Sequence, residues 1–368
     1  MLFANSVSDI GYVFRHVRAY SANSSSSRAR EAREEEHLME HLPYGIATEK
    51  GPKQSQEDAY YIGAFRGGRL TLNGFTGTND PEEEGCFGVF DGHGGDRASR
   101  HCAEFIFQRI HANLQKRGFT SSSDASESEL KSIIRDSILE IDGEFCQLST
   151  AQQAFGGKFP MCSMEDGSTL VIAMIRGDKI FVANVGDSRA VLCQRTSKGK
   201  VSGVPLSRDH KPDDPIERQR IEAKGGRVTG VRPALFTTLW PFTRWMDVPR
   251  VDGILSMTRA IGDATLKPPI SAEPDLFVHA LGPTDKYLIL ACDGLWDVIS
   301  NDKAAKIACR SPSAQAAASA LCKYAMQKAS EDNVTVLVVD VAAFSSHPAL
   351  RMSEYAESTL SSVQNGTH

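Results

Sequence analysis

The chain has 368 residues, 41% of them hydrophobic, so it is long enough to bury the core of one large domain. Its net charge of −5 and the lack of a long basic run argue against a nucleic-acid-binding protein. No apolar run approaches the ~18 residues that a membrane span needs, so we expect no membrane span.

Seven of the eight cysteines lie inside apolar segments, and no two have CxxC spacing. This distribution is typical of reduced, buried thiols and makes a zinc site from these cysteines an unfavoured interpretation. Reduced thiols in turn indicate a cytoplasmic or nuclear protein.

Residues 1–42 are predicted to be a flexible N-terminal extension. The first 30 contain four arginines, a serine run and Asp9 as their one acid, a composition typical of a mitochondrial transit peptide or of a disordered tail. A mitochondrial location is therefore the alternative. The serine-rich residues 344–368 are predicted to be a disordered C-terminal tail.

The predicted domain spans residues 43–343 and opens with an edge strand. After a turn, Glu57 and Asp58 enter a second apolar strand. Successive side chains of a strand face opposite sides, so one of these two acids points inward. Either a cation compensates that acid, or the strand is an edge and both acids are solvated.

A strand that ends in a glycine turn follows, reading CFGVFDGHGGD at residues 86–96. Asp91 ends the strand, and the glycines after it let backbone groups approach an ion or a phosphate. An ordinary Asp-Gly hairpin turn is the alternative. Two further apolar strands end in an acid beside glycine, at Asp187 and Asp293, which suggests that one sheet edge collects carboxylates.

Two amphipathic helices are predicted next, over residues 96–116 and 126–148. Ser126 and Glu129 have the spacing of a capping box at the start of the second helix. Both helices are expected to cover a sheet.

From Asp166 the pattern changes to alternation, and three strands joined by Gly-Asp turns predict an antiparallel meander. Residues 256–267 are predicted to form a polar loop around Asp263, and a further strand over residues 287–293 ends at the second Asp-Gly pair.

A flap subdomain is predicted over about residues 210–255. Its central part, residues 227–251, lacks periodicity and holds Trp240, Phe242 and Trp245. Long irregular loops of this kind are usually functional or disordered. The alternative is that these aromatic side chains only pack the flap onto the domain.

Six acids lie at strand ends: Glu57, Asp58, Asp91, Asp187, Asp293 and Asp332. Carboxylates that converge without cations raise each other's pKa values, whereas Mg²⁺ or Mn²⁺ compensates them. Two such ions ~3.5–4 Å apart can activate a water and hold a phosphoryl oxygen opposite it. Because the chain has no Walker loop and no GxSxG elbow, hydrolysis of a phosphate ester by an ion-activated water is the predicted chemistry.

Eight strings occur in order between residues 43 and 341: KxxxED, FxVFDGHGG, DGSTLV, VANVGDSRAVL, LSRDHKP, MTRAIGD, ILACDGLWDV and EDNVTVLVV. Together they resemble the PPM/PP2C family of metal-dependent serine/threonine protein phosphatases. The resemblance implies an α+β fold, a four-layer αββα sandwich of two antiparallel sheets flanked by helices, with a flap subdomain. It also implies a cleft with two Mg²⁺ or Mn²⁺ ions, and a weaker third ion, at one end of the sandwich.

The resemblance further implies the metal ligands. Asp91 corresponds to the ligand that bridges two ions, with Asp293 and Asp332 completing one ion. Glu57 and the carbonyl of Gly92 serve the other ion, partly through water.

Three more residues receive roles from the resemblance. Asp58 resembles the neighbouring acid that hydrogen-bonds water at the ion. Asp187 resembles the ligand of the third ion, which it shares with Asp293. His93 resembles the general acid that protonates the leaving seryl or threonyl oxygen, although a histidine here could also merely cap a helix.

The chain departs from the family at Lys53. The family usually has an arginine four residues before the glutamate, where it grips the substrate phosphate. A lysine supplies the charge but not the bidentate fork, so we predict an active enzyme with weaker phosphate binding.

The resemblance therefore implies a monomeric protein phosphatase that acts on phosphoproteins. The first alternative is a catalytically weak member that serves as a phosphoprotein-binding scaffold. The second is a phosphatase of small phosphate esters, against which the aromatic flap argues.

Overall fold

The computed structural model describes residues 42–66, 69–72, 84–154, 166–230 and 248–344. The segments predicted as the N-terminal extension, apart from its last residue, and as the C-terminal tail after residue 344 lie outside these ranges. The flap residues Trp240, Phe242 and Trp245 also lie outside them.

One sheet contains both the first and the last described strands. Its order is β1 (Tyr44–Glu49), β16 (Val334–Asp340), β15 (Asp285–Ala291), β9 (Arg189–Arg195) and β10 (Val201–Pro205). Every neighbouring pair in this sheet is antiparallel. The first strand is an edge, as its alternating pattern predicted.

The second sheet has six strands, again antiparallel throughout. Its order is β14 (Asp275–Ala280), β8 (Lys179–Val185), β7 (Leu170–Arg176), β4 (Glu84–Phe90), β2 (Ala59–Arg66) and β3 (Arg69–Leu72). Strand β2 lies between β4 and β3, and both carboxylate oxygens of Asp58 just before it are buried. The alternative of an edge strand with two solvated acids is therefore wrong.

Six α-helices are described: α1 (Arg97–Lys116), α2 (Glu127–Ala154), α3 (Pro215–Ala223), α4 (Asp293–Trp296), α5 (Asn301–Ala308) and α6 (Ala314–Gln327). The capping box at the start of α2 is confirmed, because Ser126 N donates to Glu129 Oε2 (2.8 Å) and Glu129 N donates to Ser126 Oγ (3.3 Å). None of the described helices is both long and apolar enough to cross a membrane.

Buried apolar side chains form three layers, one between the two sheets and one between each sheet and its helices. Helices α1 and α2 pack on the six-stranded sheet through residues such as Ile106 and Ile133. Phe87 lies between the two sheets, whereas Phe90, three residues later in the chain, faces the helices. Leu321 of α6 belongs to the third layer, on the outer face of the five-stranded sheet. The predicted αββα sandwich is therefore confirmed.

The predicted meander is correct for its first hairpin and wrong for its third strand. Strands β7 and β8 pair with each other, but β9 pairs with β15 and β10 in the other sheet. Gly186 has φ of 100°, and the chain crosses from one sheet to the other at Gly186 and Asp187. A residue with a Cβ would be strained there, because that Cβ would lie 2.7 Å from Thr169 Cγ2. The crossing brings Asp187 to the junction of the two sheets.

Two small pairings complete the described fold. A three-stranded sheet has the order β13 (Ile261–Gly262), β6 (Gly167–Ser168) and β5 (Gly92–His93). A ribbon joins β11 (Val228–Thr229) to β12 (Arg250–Val251). The two ends of the segment at residues 227–251, which is predicted to be irregular, therefore pair as short antiparallel strands.

The seven cysteines in the described ranges are free thiols. All are buried except Cys146, which is half-buried.

Candidate metal centre and active site

Asp91 is held in place through its backbone. Its N–H donates to Thr169 Oγ1 (3.1 Å), and the N–H of Thr169 donates to the Asp91 carbonyl (2.9 Å). The Thr169 hydroxyl also lies 2.7 Å from Ser188 Oγ, next to the crossing between the sheets. The position of the Asp91 carboxylate is thus fixed by the fold.

Gly92 is required because another chain segment passes very close to it. A Cβ at this position would lie 2.4 Å from the Glu57 carbonyl oxygen and 2.9 Å from Ser99 Oγ. Ser99 Oγ in turn donates to the same Glu57 carbonyl at 2.5 Å. Glycine at residue 92 therefore lets the Glu57 segment approach the end of β4.

Asp58, Asp91 and Cys292 form a group whose ligand atoms all lie within 4.8 Å of one another. Both Asp58 oxygens are buried and have no hydrogen-bond partner among the described residues. Burial raises the pKa of Asp58 to about 6, against the opposing effect of the neighbouring Thr335 and Cys292 side chains. A buried carboxylate without a counter-charge is suited to bind a cation.

The other predicted acids surround this group. Burial raises the pKa of Asp91 well above its ordinary range, and the charges of Asp58, Asp293, Asp187 and Asp332 raise it further. The pKa of Asp293 is likewise raised, first by burial and then by Asp187. These five aspartates are therefore brought together, although they come from distant parts of the chain.

Glu57 lies at the edge of the same site. Its carboxylate accepts a hydrogen bond from Ser55 Oγ (2.7 Å), and its negative charge is one of those that raise the pKa of His93. Its backbone N–H donates to Asn333 Oδ1 (2.8 Å). Glu57 is thus fixed to the start of β16 through its main chain.

The donor set fits a hard divalent cation such as Mg²⁺ or Mn²⁺, because the available atoms are carboxylate and carbonyl oxygens. The Cys292 sulfur is already engaged, since it accepts from Thr335 N (3.1 Å) and lies 3.4 Å from the Asn333 carbonyl oxygen. Burial raises the pKa of the Cys292 thiol well above its ordinary value, so it stays neutral. A soft, thiolate-bound metal is therefore disfavoured.

Lys53 contacts the site from the solvent side. Its Nζ lies 2.9 Å from Asp332 Oδ1, and both side chains are exposed, at 49% and 39%. Burial disfavours the ammonium, but the hydrogen bond and charge of Asp332 prevail and raise the pKa of Lys53. An exposed pair of this kind contributes little to stability, so Lys53 remains free to exchange partners.

Asn333 is a site residue that the sequence reasoning missed. It is buried, and its Nδ2 donates to the carbonyls of Lys50 (2.7 Å) and Ser55 (3.0 Å) while its Oδ1 accepts from Glu57. It thereby fastens the loop that carries Lys53 to the five-stranded sheet. The string EDNVTVLVV contained it, but gave no sign that its amide spans that loop.

His93 is paired with Asp263, which lies in the segment predicted to be a polar loop. His93 Nε2 and Asp263 Oδ2 are 2.8 Å apart, and Asp263 is 2% exposed. Strand β6 lies between β5, which ends at His93, and β13, which ends just before Asp263. A Cβ on Gly167 would be 2.2 Å from Asp263 Oδ2 and 2.3 Å from His93 Nε2. The two side chains therefore meet across a glycine.

The two ring nitrogens of His93 have different environments, since Nε2 is paired with Asp263 and Nδ1 is not. Burial disfavours the imidazolium, but the hydrogen bond and charge of Asp263 prevail and raise the pKa of His93. The other nitrogen, Nδ1, is buried without a hydrogen-bond partner among the described residues. Asp263 has φ of 48°, a left-handed backbone that the sequence did not predict.

Lys211 is a third site residue that the sequence did not identify. Its Nζ donates to Asp187 Oδ2 and lies 3.9 Å from Asp293 Oδ2. Although burial disfavours the ammonium, Asp187 and Asp293 raise the pKa of Lys211 above its ordinary value. Asp187 is fully buried, and its Oδ1 has no partner within the described ranges.

Comparison with known proteins gives consistent matches. A family model described as "Protein phosphatase 2C" matches residues 64–334. "Probable protein phosphatase 2C 59" of Oryza sativa subsp. japonica is 36% identical over 296 residues, which cover 80% of this chain and 75% of the relative. "Protein phosphatase 2C 50" of the same plant is 38% identical over 285 residues, which cover 69% of this chain and 68% of the relative.

Two solved structures have the same fold. The serine-threonine phosphatase 2C from Toxoplasma gondii gives a TM-score of 0.61 at 24% identity, over 81% of this chain and 94% of that one. A sex-determining protein of C. elegans gives a TM-score of 0.62 at 24% identity, over 81% of this chain and 64% of that one. From the family match, the identities and the shared architecture, the chain belongs to the protein phosphatase 2C family of serine/threonine protein phosphatases.

Proposed function

We propose that the chain hydrolyses phosphoserine and phosphothreonine in proteins through a water activated by two divalent cations. The catalytic unit in this proposal is residues 43–343, which contain all the predicted site residues, and it acts as a monomer. The proposal is carried by one observation: the Asp58 carboxylate, whose two oxygens are buried, converges with that of Asp91, and neither makes a salt bridge within the described ranges. Such a cluster is costly unless cations compensate it.

In this proposal five residues hold the two ions. Asp91 would contact both, Asp293 and Asp332 would hold the first, and Glu57 and the Gly92 carbonyl would hold the second. When bound, the ions supply the positive charge that lets a water lose a proton near neutral pH and that withdraws charge from the phosphoryl oxygens.

The protein's own groups orient the reactants. Asp58 has two buried oxygens without hydrogen bonds, and these are suited to accept from the attacking water. Lys53 lies at the exposed edge of the acidic cluster, where its ammonium attracts the substrate phosphate as a point charge.

His93 protonates the leaving oxygen. Its Nε2 is committed to Asp263, which leaves Nδ1 as the nitrogen that can donate a proton to the seryl or threonyl oxygen. Asp263 acts as a positioning residue, because it fixes the ring orientation and stabilises the protonated form. After transfer the imidazole is neutral and the alcohol product is uncharged.

The experiment is phosphate release from a phosphothreonine peptide with Mn²⁺ or Mg²⁺ present, with a chelator added in a parallel sample. Turnover should depend on the ion and stop with the chelator. Asp293→Asn should lose at least about 100-fold in kcat/KM, because a ligand is lost while the side-chain size is kept. Asp178→Asn, which changes an exposed acid in the turn between β7 and β8, is the matched control and should keep full activity.

The same assay tests the alternatives. Peptide binding without turnover at any ion concentration would favour the scaffold. A much higher kcat/KM on p-nitrophenyl phosphate than on the phosphopeptide would favour a phosphatase of small esters. Chelator-insensitive turnover would reject the two-ion mechanism itself.

A further inference from the structure

The Lys211 ammonium contacts the two carboxylates that the family resemblance assigns to a third ion. It donates to Asp187 Oδ2 and lies 3.9 Å from Asp293 Oδ2. A positive charge of the protein therefore already occupies the region in which that ion would have to bind.

The backbone around Lys211 is fastened to the segment that carries Asp187. His210 N donates to the Gly186 carbonyl (3.0 Å), and Gly186 N donates to His210 Nδ1 (3.1 Å). Thr258 N donates to the His210 carbonyl (2.8 Å), and His210 is fully buried. Lys211 is thus anchored next to Asp187 by main-chain contacts on both sides of the pair.

Lys211 differs in this respect from Lys53, the other lysine at the site. Lys53 and Asp332 are both substantially exposed, so water or an ion can replace either partner. Asp187 is fully buried, so breaking its pair with Lys211 leaves a buried carboxylate without compensation. A cation can therefore replace Lys53 beside Asp332, whereas replacing Lys211 beside Asp187 is unfavourable.

We propose that Lys211 is a built-in counter-cation that takes the place of a third ion, so that the chain binds two divalent cations and disfavours a third at Asp187 and Asp293. The inference rests on the proposed two-ion function. A third ion would either displace the ammonium from Asp187 or bind beside a like charge, and both are unfavourable in a buried setting.

The test counts Mn²⁺ ions bound by the full chain, with equilibrium dialysis followed by metal analysis and with the EPR signal of free Mn²⁺. The wild-type protein should bind two ions. Lys211→Met removes the charge at similar length and leaves both Asp187 oxygens open, so it should bind a third ion at least about tenfold more tightly than the wild type does. Lys211→Arg keeps the charge and should stay at two.

A double variant identifies the third site. Lys211→Met combined with Asp187→Asn should return to two ions. If Lys211→Met does not fold, as judged by its thermal transition, Lys211→Gln serves in its place.

The outcomes separate the two hypotheses. Three ions on the wild-type protein, or two on every folded charge-removing variant, would overturn the role of Lys211 and leave the two-ion function standing. No ion on the wild-type protein would reject both.

Discussion

His93 and Asp263 lie 170 residues apart in the sequence, yet their side chains meet at 2.8 Å across Gly167. The three short strands β5, β6 and β13 produce this contact, because each outer strand pairs with the central one at the same glycine. The proposed proton donor and the carboxylate paired with it are therefore positioned by backbone pairing.

Replacing Asp263 with Asn should lower kcat by about 100-fold and change KM little, because the ring of His93 loses the charge that stabilises its protonated form. Asparagine tolerates the left-handed backbone at this position, so the fold should be kept. Steady-state kinetics on a phosphothreonine peptide measure the effect. An equal rise in KM with unchanged kcat would contradict the assigned role.

Gly167→Ala should cause the same loss in kcat, although it changes neither His93 nor Asp263. The added Cβ would fall 2.2 Å from Asp263 Oδ2, so the His93–Asp263 pair must separate. Gly143→Ala, in the middle of α2, is the matched control, because within the described ranges a Cβ there would meet no atom within 4 Å other than those of its chain neighbours and its own helix backbone. Wild-type turnover in a folded Gly167→Ala protein would show that the pair is dispensable.

Lys53→Arg should lower KM several-fold with kcat nearly unchanged, since a guanidinium can bind the substrate phosphate through two parallel hydrogen bonds. The half-exposed pair with Asp332 leaves room for the longer side chain. Lys50→Arg, in the same loop, is the control for a general effect of arginine. The idea fails if KM is the same or higher in Lys53→Arg.

Asp91→Asn should make the ion-free protein more stable, within the range of roughly 0.5–2 kcal/mol that single stabilising substitutions give, because it removes a carboxylate whose pKa burial and four neighbouring acids raise. The same variant should lose the stabilisation that Mn²⁺ gives the wild-type protein. Urea unfolding with chelator and with Mn²⁺ measures both effects. A variant that is less stable than the wild type in chelator would argue against a strained cluster.

Glu217 should contribute stability that disappears in acid. It is fully buried, and its carboxylate binds Arg259 Nη2 (2.5 Å) and Thr258 Oγ1 (2.7 Å). Although burial opposes ionisation, these two partners lower the pKa of Glu217 from 4.5 to about 2. A depressed carboxyl pKa stabilises the folded state above the unfolded pKa, and this contribution is lost as the pH falls towards 2.

The difference in unfolding free energy between wild type and Glu217→Gln should therefore shrink by about 2 kcal/mol from pH 7 to pH 3. Taking the difference cancels the titration of all other groups. Glu222→Gln, which removes an exposed acid from the same helix, should show a small difference at both pH values. If the wild-type protein is more stable than Glu217→Gln by the same amount at both pH values, the pKa of Glu217 is not depressed in the folded state.

Local patterns predicted the elements that depend on near neighbours. The capping box at Ser126, the two long helices and the strands that end in an acid beside glycine are all encoded within a few residues. The sheet to which β9 belongs could not be read in this way, because its partner β15 lies about 90 residues further along and the turn at Gly186 resembles a hairpin turn.

The site divides in a similar way. Its acids could be proposed from repeated Asp-Gly pairs and from the family resemblance, since charge and sequence position carry that information. Asp263 and Lys211 could not, although the strings MTRAIGD and LSRDHKP contain them. Their roles depend on a left-handed backbone and on contacts with distant segments, and neither feature has a local signature.

The pairing of β1 with β16 has a consequence for the biogenesis of the enzyme. The final strand enters the sheet between the first strand and β15, and Asp332 directly precedes it. A nascent chain or a proteolytic fragment that ends before this strand leaves β1 and β15 without the strand that pairs with both of them. It also lacks the strand that supports the Asp332 carboxylate. A truncation before β16 is therefore expected to abolish phosphatase activity, because this one strand both completes the sheet and follows directly on a predicted metal ligand.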